Sequence, residues 1–208
     1  MHEFRKALEN HFRFIGGLDN LPELATPLSG RDRGRIDLAK TMHDMGLKRM
    51  VEVGCRYGAS AQIWLENNPG LDLTCIDPYV AYHRVSQARQ ELIFKGAQEN
   101  SEKFGFKLLR MASLDAVDDF EDGSLDVVNV DGNHMFDAAV QDIIRWAHKV
   151  REGGLMLVHD YCAFGMSGVI PAVDAYTNCH RIDPWYVTRD MEPTAFWQRG
   201  AERAGLGS

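Results

Sequence analysis

The stretch RMVEVGCRYGASAQIWLENNPGLDLTCIDPY, residues 49–79, decides the fold. A short apolar run, Met50 to Val53, stops at Gly54. Gly58 and Ser60 follow, then Ala61, Ile63, Trp64 and Leu65 at helical spacing, then the turn Asn68-Pro69-Gly70. A second apolar run, Leu71 to Ile76, stops at Asp77. Strand, glycine loop, helix, turn and strand make one βαβ unit. Gly54 and Gly58 permit backbone dihedrals closed to other residues and a close approach of main chain to a ligand. The first amides of the following helix face the same space. Asp77 stands ~20 residues beyond the loop, where nucleotide-binding βαβ units carry the acid that holds ribose hydroxyls.

Glycine spacing separates two ligand classes. A dinucleotide fold carries Gly-x-Gly-x-x-Gly, whereas this loop reads Glu52-Val53-Gly54-Cys55-Arg56-Tyr57-Gly58. E-x-G-x-x-x-G followed by an acidic strand end resembles the class I S-adenosylmethionine (SAM) dependent methyltransferases. The resemblance implies a SAM cofactor held by Glu52, Gly54, Cys55, Gly58 and Ser60, with its ribose on Asp77. A plain tight turn from strand to helix would use the same two glycines.

Composition narrows the class. The chain has 208 residues, enough for one domain with a sizeable core. Its formal charge of −7 does not favour a nucleic-acid surface. Four cysteines, Cys55, Cys75, Cys162 and Cys179, show neither a C-x-x-C pair nor zinc spacing, which suits free thiols in a reducing cytoplasm. No apolar run approaches a membrane span, and the first residues lack the apolar core of a signal peptide. The expectation is a cytoplasmic protein without a membrane or nucleic-acid partner; homo-oligomerisation stays open.

In chain order, Phe4, Leu8, His11, Phe12 and Ile15 form a stripe that predicts a helix over 3–14. Residues 18–34 read as loop, with Pro22, Pro27 and Ser29-Gly30. A helix is expected over 35–45, with Gly46 as its cap. Further expectations are a helix over 85–104, strands at 106–111 and 125–130, and a helix over 137–150. Glu152-Gly153-Gly154 then turns into a strand at 155–158, and a helix over 170–180 precedes short strands at 185–188 and 194–197. The result is an α/β, Rossmann-like, doubly wound fold with a mostly parallel seven-stranded sheet and an antiparallel C-terminal hairpin. Residues 1–34 form an N-terminal helix and loop, 35–198 the core and 199–208 a tail. The N-terminal stretch Phe12 to Arg35 and the segment Tyr161 to Trp185 are expected to cover an acceptor pocket.

Polar residues gather where strands end: Gly54, Asp77, Asp131 and His159-Asp160. Ligands of open parallel sheets sit at that edge. The second half reads V-D-G-N-H-M-F-D, a helix, then R-E-G-G-L-M-L-V-H-D-Y. This pattern resembles the small-molecule O-methyltransferases that act on sugars, natural products and catechol-type phenols. The resemblance implies adenine contacts at Ala112 and Ser113, a cofactor contact at Asp131, and a small hydroxylated acceptor beside Cys162, Phe164 and Met166. In metal-dependent relatives the fourth and fifth strand ends hold a divalent ion. Asp131 and Asp160 match those positions, while His159 replaces the usual acid. Magnesium favours oxygen donors, so this set suits Mn, Fe, Ni or Zn, or general-base catalysis without a metal.

A hydroxyl acceptor must lose its proton to a base or to a metal that acidifies it. His134 and His159 are the candidate bases, oriented by Asp131. Each has a plainer alternative, His134 as a helix cap and His159 as an orienting core residue. Tyr79 and Tyr82 follow Asp77, at an adenosine edge or on ordinary surface. The competing functions are a SAM-binding protein without catalysis and an NAD-type oxidoreductase; the absent Gly-x-Gly-x-x-Gly counts against the second.

Overall fold

A computed structural model describes residues 2–17, 21–28, 33–82, 84–165 and 167–200. The chain begins with helix α1 (His2–Glu9) and a hairpin of strands β1 (Phe12–Phe14) and β2 (Glu23–Pro27). Helix α2 (Gly34–Asp44) leads into β3 (Arg49–Val53), α3 (Ala59–Asn67), β4 (Asp72–Ile76), α4 (Gln87–Phe104) and β5 (Lys107–Leu109). There follow α5 (Ser113–Ala116), a 3₁₀ turn (Val117–Asp119), β6 (Leu125–Val130), α6 (Phe136–Ala147) and β7 (Val150–Val158). Helix α7 (Val169–His180) and strands β8 (Tyr186–Thr188) and β9 (Ala195–Gln198) complete it.

All nine strands form one sheet in the order β1-β2-β8-β9-β7-β6-β3-β4-β5. Strands β3 to β7 run parallel, and β9 pairs antiparallel to both β7 and β8. These seven strands are the expected sheet with its closing hairpin. The other two were not expected. Phe12–Phe14 pairs antiparallel with Ala25–Pro27, and β2 runs parallel to β8, so the N-terminal segment widens the sheet.

The helix expected over 3–14 therefore ends at Glu9. Phe4, Leu8 and Phe12 are all buried, but Phe12 is delivered by a strand. Its ring packs on Phe196, and Phe4 packs edge-on to Tyr186. Phe4, Leu8, Phe12 and Ala25 thus belong to the core, and β1 and β2 to the sheet edge. Residues 18–20 and 29–32 of the expected cover, Met166 and the tail from 201 onward lie outside the described residues. A second difference is β7, which begins at Val150 and carries Gly153-Gly154 inside it. Its register against β6 shifts between the pairs Leu125↔Val150 and Val127↔Leu155, so the expected turn is an irregularity within a longer strand.

Burial on both faces explains the continuous apolar runs of β3, β6 and β7. Met50, Leu155 and Leu157 join Leu38, Met42 and Trp64 in one core, under α1 to α4. Val51, Val128, Met156 and Val158 join Ile143, Trp146 and Val173 in the other, under α5 to α7. Trp64 and Trp146 are each fully buried, one per layer. At about 25 cal/mol per Å² each contributes roughly 4–6 kcal/mol of hydrophobic burial. Among the described residues no helix is long and apolar enough to cross a membrane.

Candidate active site

Backbone hydrogen bonds continue past the strand ends and align one edge. Gly54 N donates to Ile76 O at 2.8 Å, Asp131 N to Val53 O at 2.7 Å, His159 N to Val130 O at 2.9 Å and Asp77 N to Leu109 O at 3.1 Å. The residues expected to carry chemistry therefore stand side by side, and the strand order reverses at β3, between β4 and β6.

The loop after β3 is held from two sides. Asp77 Oδ2 accepts the amides of Cys55 (3.2 Å) and Arg56 (2.9 Å), and Oδ1 accepts that of Tyr79 (3.0 Å). A carboxylate has about four lone-pair sites, so capacity remains for a hydroxyl. Gly54 has φ 93°, and a Cβ there would run into the carbonyl of Asp131. Gly58 has φ 79° at the N-cap of α3, and a Cβ would lie 2.7 Å from the Phe106 ring. Both glycines are explained by protein packing at this edge.

Glu52 and Ser60 do not face the edge. Glu52 is fully buried and accepts Ser60 Oγ, Trp64 Nε1 and Asn129 Nδ2, each at 2.9 Å. Burial and the charge of Asp131 push its carboxyl up, against the pull of these donors. This carboxyl ties β3, α3 and β6 together beneath the loop. Cys55 is buried, and only its amide reaches Asp77.

At the β5 end, Ala112 is the N-cap of α5 and Ser113 its first residue. Ser113 Oγ donates to Asp142 Oδ1 at 2.5 Å and accepts Trp146 Nε1 at 2.8 Å. Burial pushes Asp142 up to about 6, moderated by the Ser113 hydroxyl. Nothing in the sequence marked Asp142; on α6 it reads as an ordinary helix charge.

Asp131, His134 and Asp160 form the centre of the edge. They offer one ligand atom each, all within 4.8 Å of one another. His134 Nε2 lies 3.2 Å from Asp160 Oδ2 and 3.7 Å from Asp131 Oδ1. It is nonetheless buried without a partner of hydrogen-bond geometry among the described residues. Two carboxylates and one imidazole with an unpartnered nitrogen fit a divalent cation that takes mixed oxygen and nitrogen donors, such as Mn²⁺ or Zn²⁺. Asp160 has φ 60°, a left-handed conformation that Asp adopts more readily than most residues with a Cβ. The His134 ring is fixed edge-on by Phe164, 5.5 Å away at 84°.

His159, expected as a base or metal ligand, adjoins the cluster from the core side. Its side chain is 3% exposed, and Nδ1 faces Asp160 Oδ1 at 3.3 Å and Asp131 Oδ1 at 3.4 Å. Arg35 Nη2, a donor, comes within 3.0 Å of the same nitrogen. Burial and Arg35 disfavour a charged ring, but the two carboxylates outweigh them and raise His159 to about 9. Burial would raise Asp131, yet contacts from His134 and His159 and the charge of Arg35 hold it well below the usual carboxylate range. His159 thus orients two acids from the core side, and His134 takes the solvent side.

Arg35 is the residue the sequence concealed. It lies in the first turn of α2 and donates from Nη2 to Asp131 Oδ2 at 3.0 Å. The sequence reaches it only as the last residue of the expected cover, because an arginine at the start of a helix otherwise reads as a solvated charge.

Comparison with known proteins follows the same outline. A family profile described as a methyltransferase domain matches residues 51–161, more than half of the chain. An uncharacterized protein, y4gI, of Sinorhizobium fredii is 27% identical over 124 residues, which cover 57% of this chain. The chain spans only 14% of that protein's length. Among solved structures, an O-methyltransferase from Bacillus cereus in complex with SAH superposes with a TM-score of 0.61 at 11% identity, covering 96% of this chain and 91% of that one. TomG, an O-methyltransferase from Streptomyces achromogenes in complex with SAM, gives 0.60 at 14% identity over the same shares. The SAH-bound methyltransferase PaMTH1 of Podospora anserina gives 0.57 at 18% identity, covering 78% and 76%. At these identities the structures bear out the α/β, mostly parallel fold.

Proposed function

We propose, from the premise that this chain belongs to the methyltransferase-domain family, that it transfers a methyl group from SAM to a hydroxyl of a small molecule. One observation carries the reading: the Gly54 loop with Asp77, and the Asp131–His134–Asp160 cluster, occupy neighbouring strand ends of a single sheet edge. Structural relatives bound to SAH or SAM support the choice of cofactor.

SAM supplies a methyl carbon on a sulfonium, which the acceptor oxygen takes in line as the carbon–sulfur bond breaks. The protein's work is then positioning and proton management. Asp77 would receive the ribose while its other lone pairs keep the loop amides in place. Ala112 and Ser113 would border the purine, Ser113 being fixed by Asp142 and Trp146. The His134 ring, on the solvent side, takes the acceptor's proton, and Asp160 and Asp131, which face its Nε2, hold the resulting imidazolium. His159 does not serve as the base, because its Nδ1 is enclosed by acids and Arg35. Phe164, Tyr161 and Cys162, just beyond β7, border the acceptor side.

A divalent cation is the alternative source of acidity. Asp131, His134 and Asp160 would hold it, and it would lower the pKa of the acceptor hydroxyl. His134 cannot be ligand and base at once, so chelation distinguishes the two.

The four free cysteines accord with a reducing, cytoplasmic setting. The test is SAH release from SAM across a panel of sugars, phenols and other hydroxylated molecules, with and without chelator. Release with a hydroxyl acceptor supports the proposal. Binding of SAM without release over a broad panel would favour a SAM-binding protein.

A further inference from the structure

Arg35 reaches the active-site cluster from outside every sequence motif, and the fold holds it there deliberately. The first turn of α2 is fastened to the turn between β8 and β9. Gly34 N donates to Asp190 Oδ2 at 2.8 Å, and Thr188 Oγ1 donates to Asp190 Oδ1 at 2.7 Å. The carboxylate fits because residue 34 has no side chain; a Cβ there would collide with it. Thr188 is fully buried, so the clamp has a rigid base.

The clamp presents Arg35 to Asp131. Nη2 donates to Asp131 Oδ2, while Asp131 Oδ1 is left facing His134 and His159. Nη1 lies 4.0 Å from the exposed Glu192. Nε is buried without a hydrogen-bond partner among the described residues, an unfavourable placement that the fold tolerates. A guanidinium keeps its charge throughout the working pH range.

We propose that Arg35 is a positioning residue: it commits one oxygen of Asp131, leaves the other to His134 and His159, and keeps the cluster's affinity for divalent cations low. The proposal rests on the reading of Asp131, His134 and Asp160 as the acceptor-side site. A fixed positive charge beside a ligand carboxylate opposes a dication by simple Coulomb repulsion, and cation affinity follows the net charge of the donor set. The cluster would then admit a cation only weakly and exchangeably. Asp190, which does not touch the cluster, sets how firmly Arg35 is held.

Mn²⁺ alone is the probe, titrated by calorimetry and by paramagnetic resonance into the wild-type protein, Arg35→Met, Asp190→Ala and Asp131→Asn. Methionine keeps an unbranched stem without the charge. Arg35→Met is expected to bind Mn²⁺ about tenfold more tightly or better. Asp190→Ala should move the same way by a smaller factor, and Asp131→Asn should abolish the response. Equal or weaker Mn²⁺ binding in Arg35→Met overturns the proposal, as does an absence of Mn²⁺ binding in every variant. A SAM isotherm on each protein separates the two readings. If SAM binds throughout while Mn²⁺ fails to respond, the role of Arg35 is wrong and the cofactor site stands. If SAM does not bind the wild-type protein, the methyl-transfer reading fails by itself.

Discussion

The indole of Trp64 donates to Glu52 Oε1 at 2.9 Å, and both side chains are completely buried. Glu52 belongs to the loop motif by sequence, yet it works beneath the loop. Glu52→Ala would leave Ser60, Trp64 and Asn129 without their shared acceptor and is expected to cost about 3 kcal/mol or more. Glu52→Gln, which keeps shape and one acceptor oxygen, should cost less and leave SAM affinity close to wild type. Urea unfolding with SAM calorimetry checks both. A stable Glu52→Gln protein that has lost SAM binding would show that the side chain serves the cofactor.

Gly58 and Phe106 are expected to be coupled. In Gly58→Ala the new methyl meets the ring at 2.7 Å, and the residue must also hold φ 79°. A loss of roughly 1–3 kcal/mol is expected. Shortening the ring in Phe106→Leu should recover part of it, so the double mutant should lose less than the two single losses combined. Additive losses would mean that the ring is not what excludes a side chain.

Asp142 predicts a pH dependence of stability. Its folded pKa, about 6, lies above the ordinary carboxyl value because of burial. Folding therefore favours its protonated form. Its contribution is fully present below the unfolded pKa, near 4, and is lost as pH rises through about 6. A shift of this size is worth about 2–3 kcal/mol. The stability of Asp142→Asn relative to wild type should rise across pH 4–6 and level off above it. A difference that stays flat with pH would contradict this assignment.

His134→Gln removes the proposed base while leaving Asp77 and the loop untouched. Turnover should fall by about 10²–10⁴-fold with SAM affinity retained. Turnover that stays at the wild-type level would remove His134 from both roles assigned to it.

The parallel core was readable because β3, β6 and β7 are buried on both faces and so appear as unbroken apolar runs. Gly54, Asp77 and Asp131 were readable because each ends such a run. The N-terminal hairpin was not. Phe4, Leu8 and Phe12 fit a helical stripe, and three residues of strand are too few to show alternation. The choice between His134 and His159 depended on which way each ring points, which spacing along the chain does not determine. Arg35 depends on a clamp from Asp190 onto Gly34, 156 residues apart in sequence, and such a contact leaves no local pattern.

The most direct measurement is calorimetric titration of SAM into the wild-type protein, Asp77→Asn and Asp77→Ala, with folding checked on each. Asp77 is proposed to accept the ribose hydroxyls, and it anchors the loop amides of Cys55 and Arg56. The expected result is saturable SAM binding in the wild type and a loss of roughly 2–4 kcal/mol in Asp77→Ala, with Asp77→Asn between them. A folded Asp77→Ala protein that binds SAM as tightly as the wild type would contradict the account at its base.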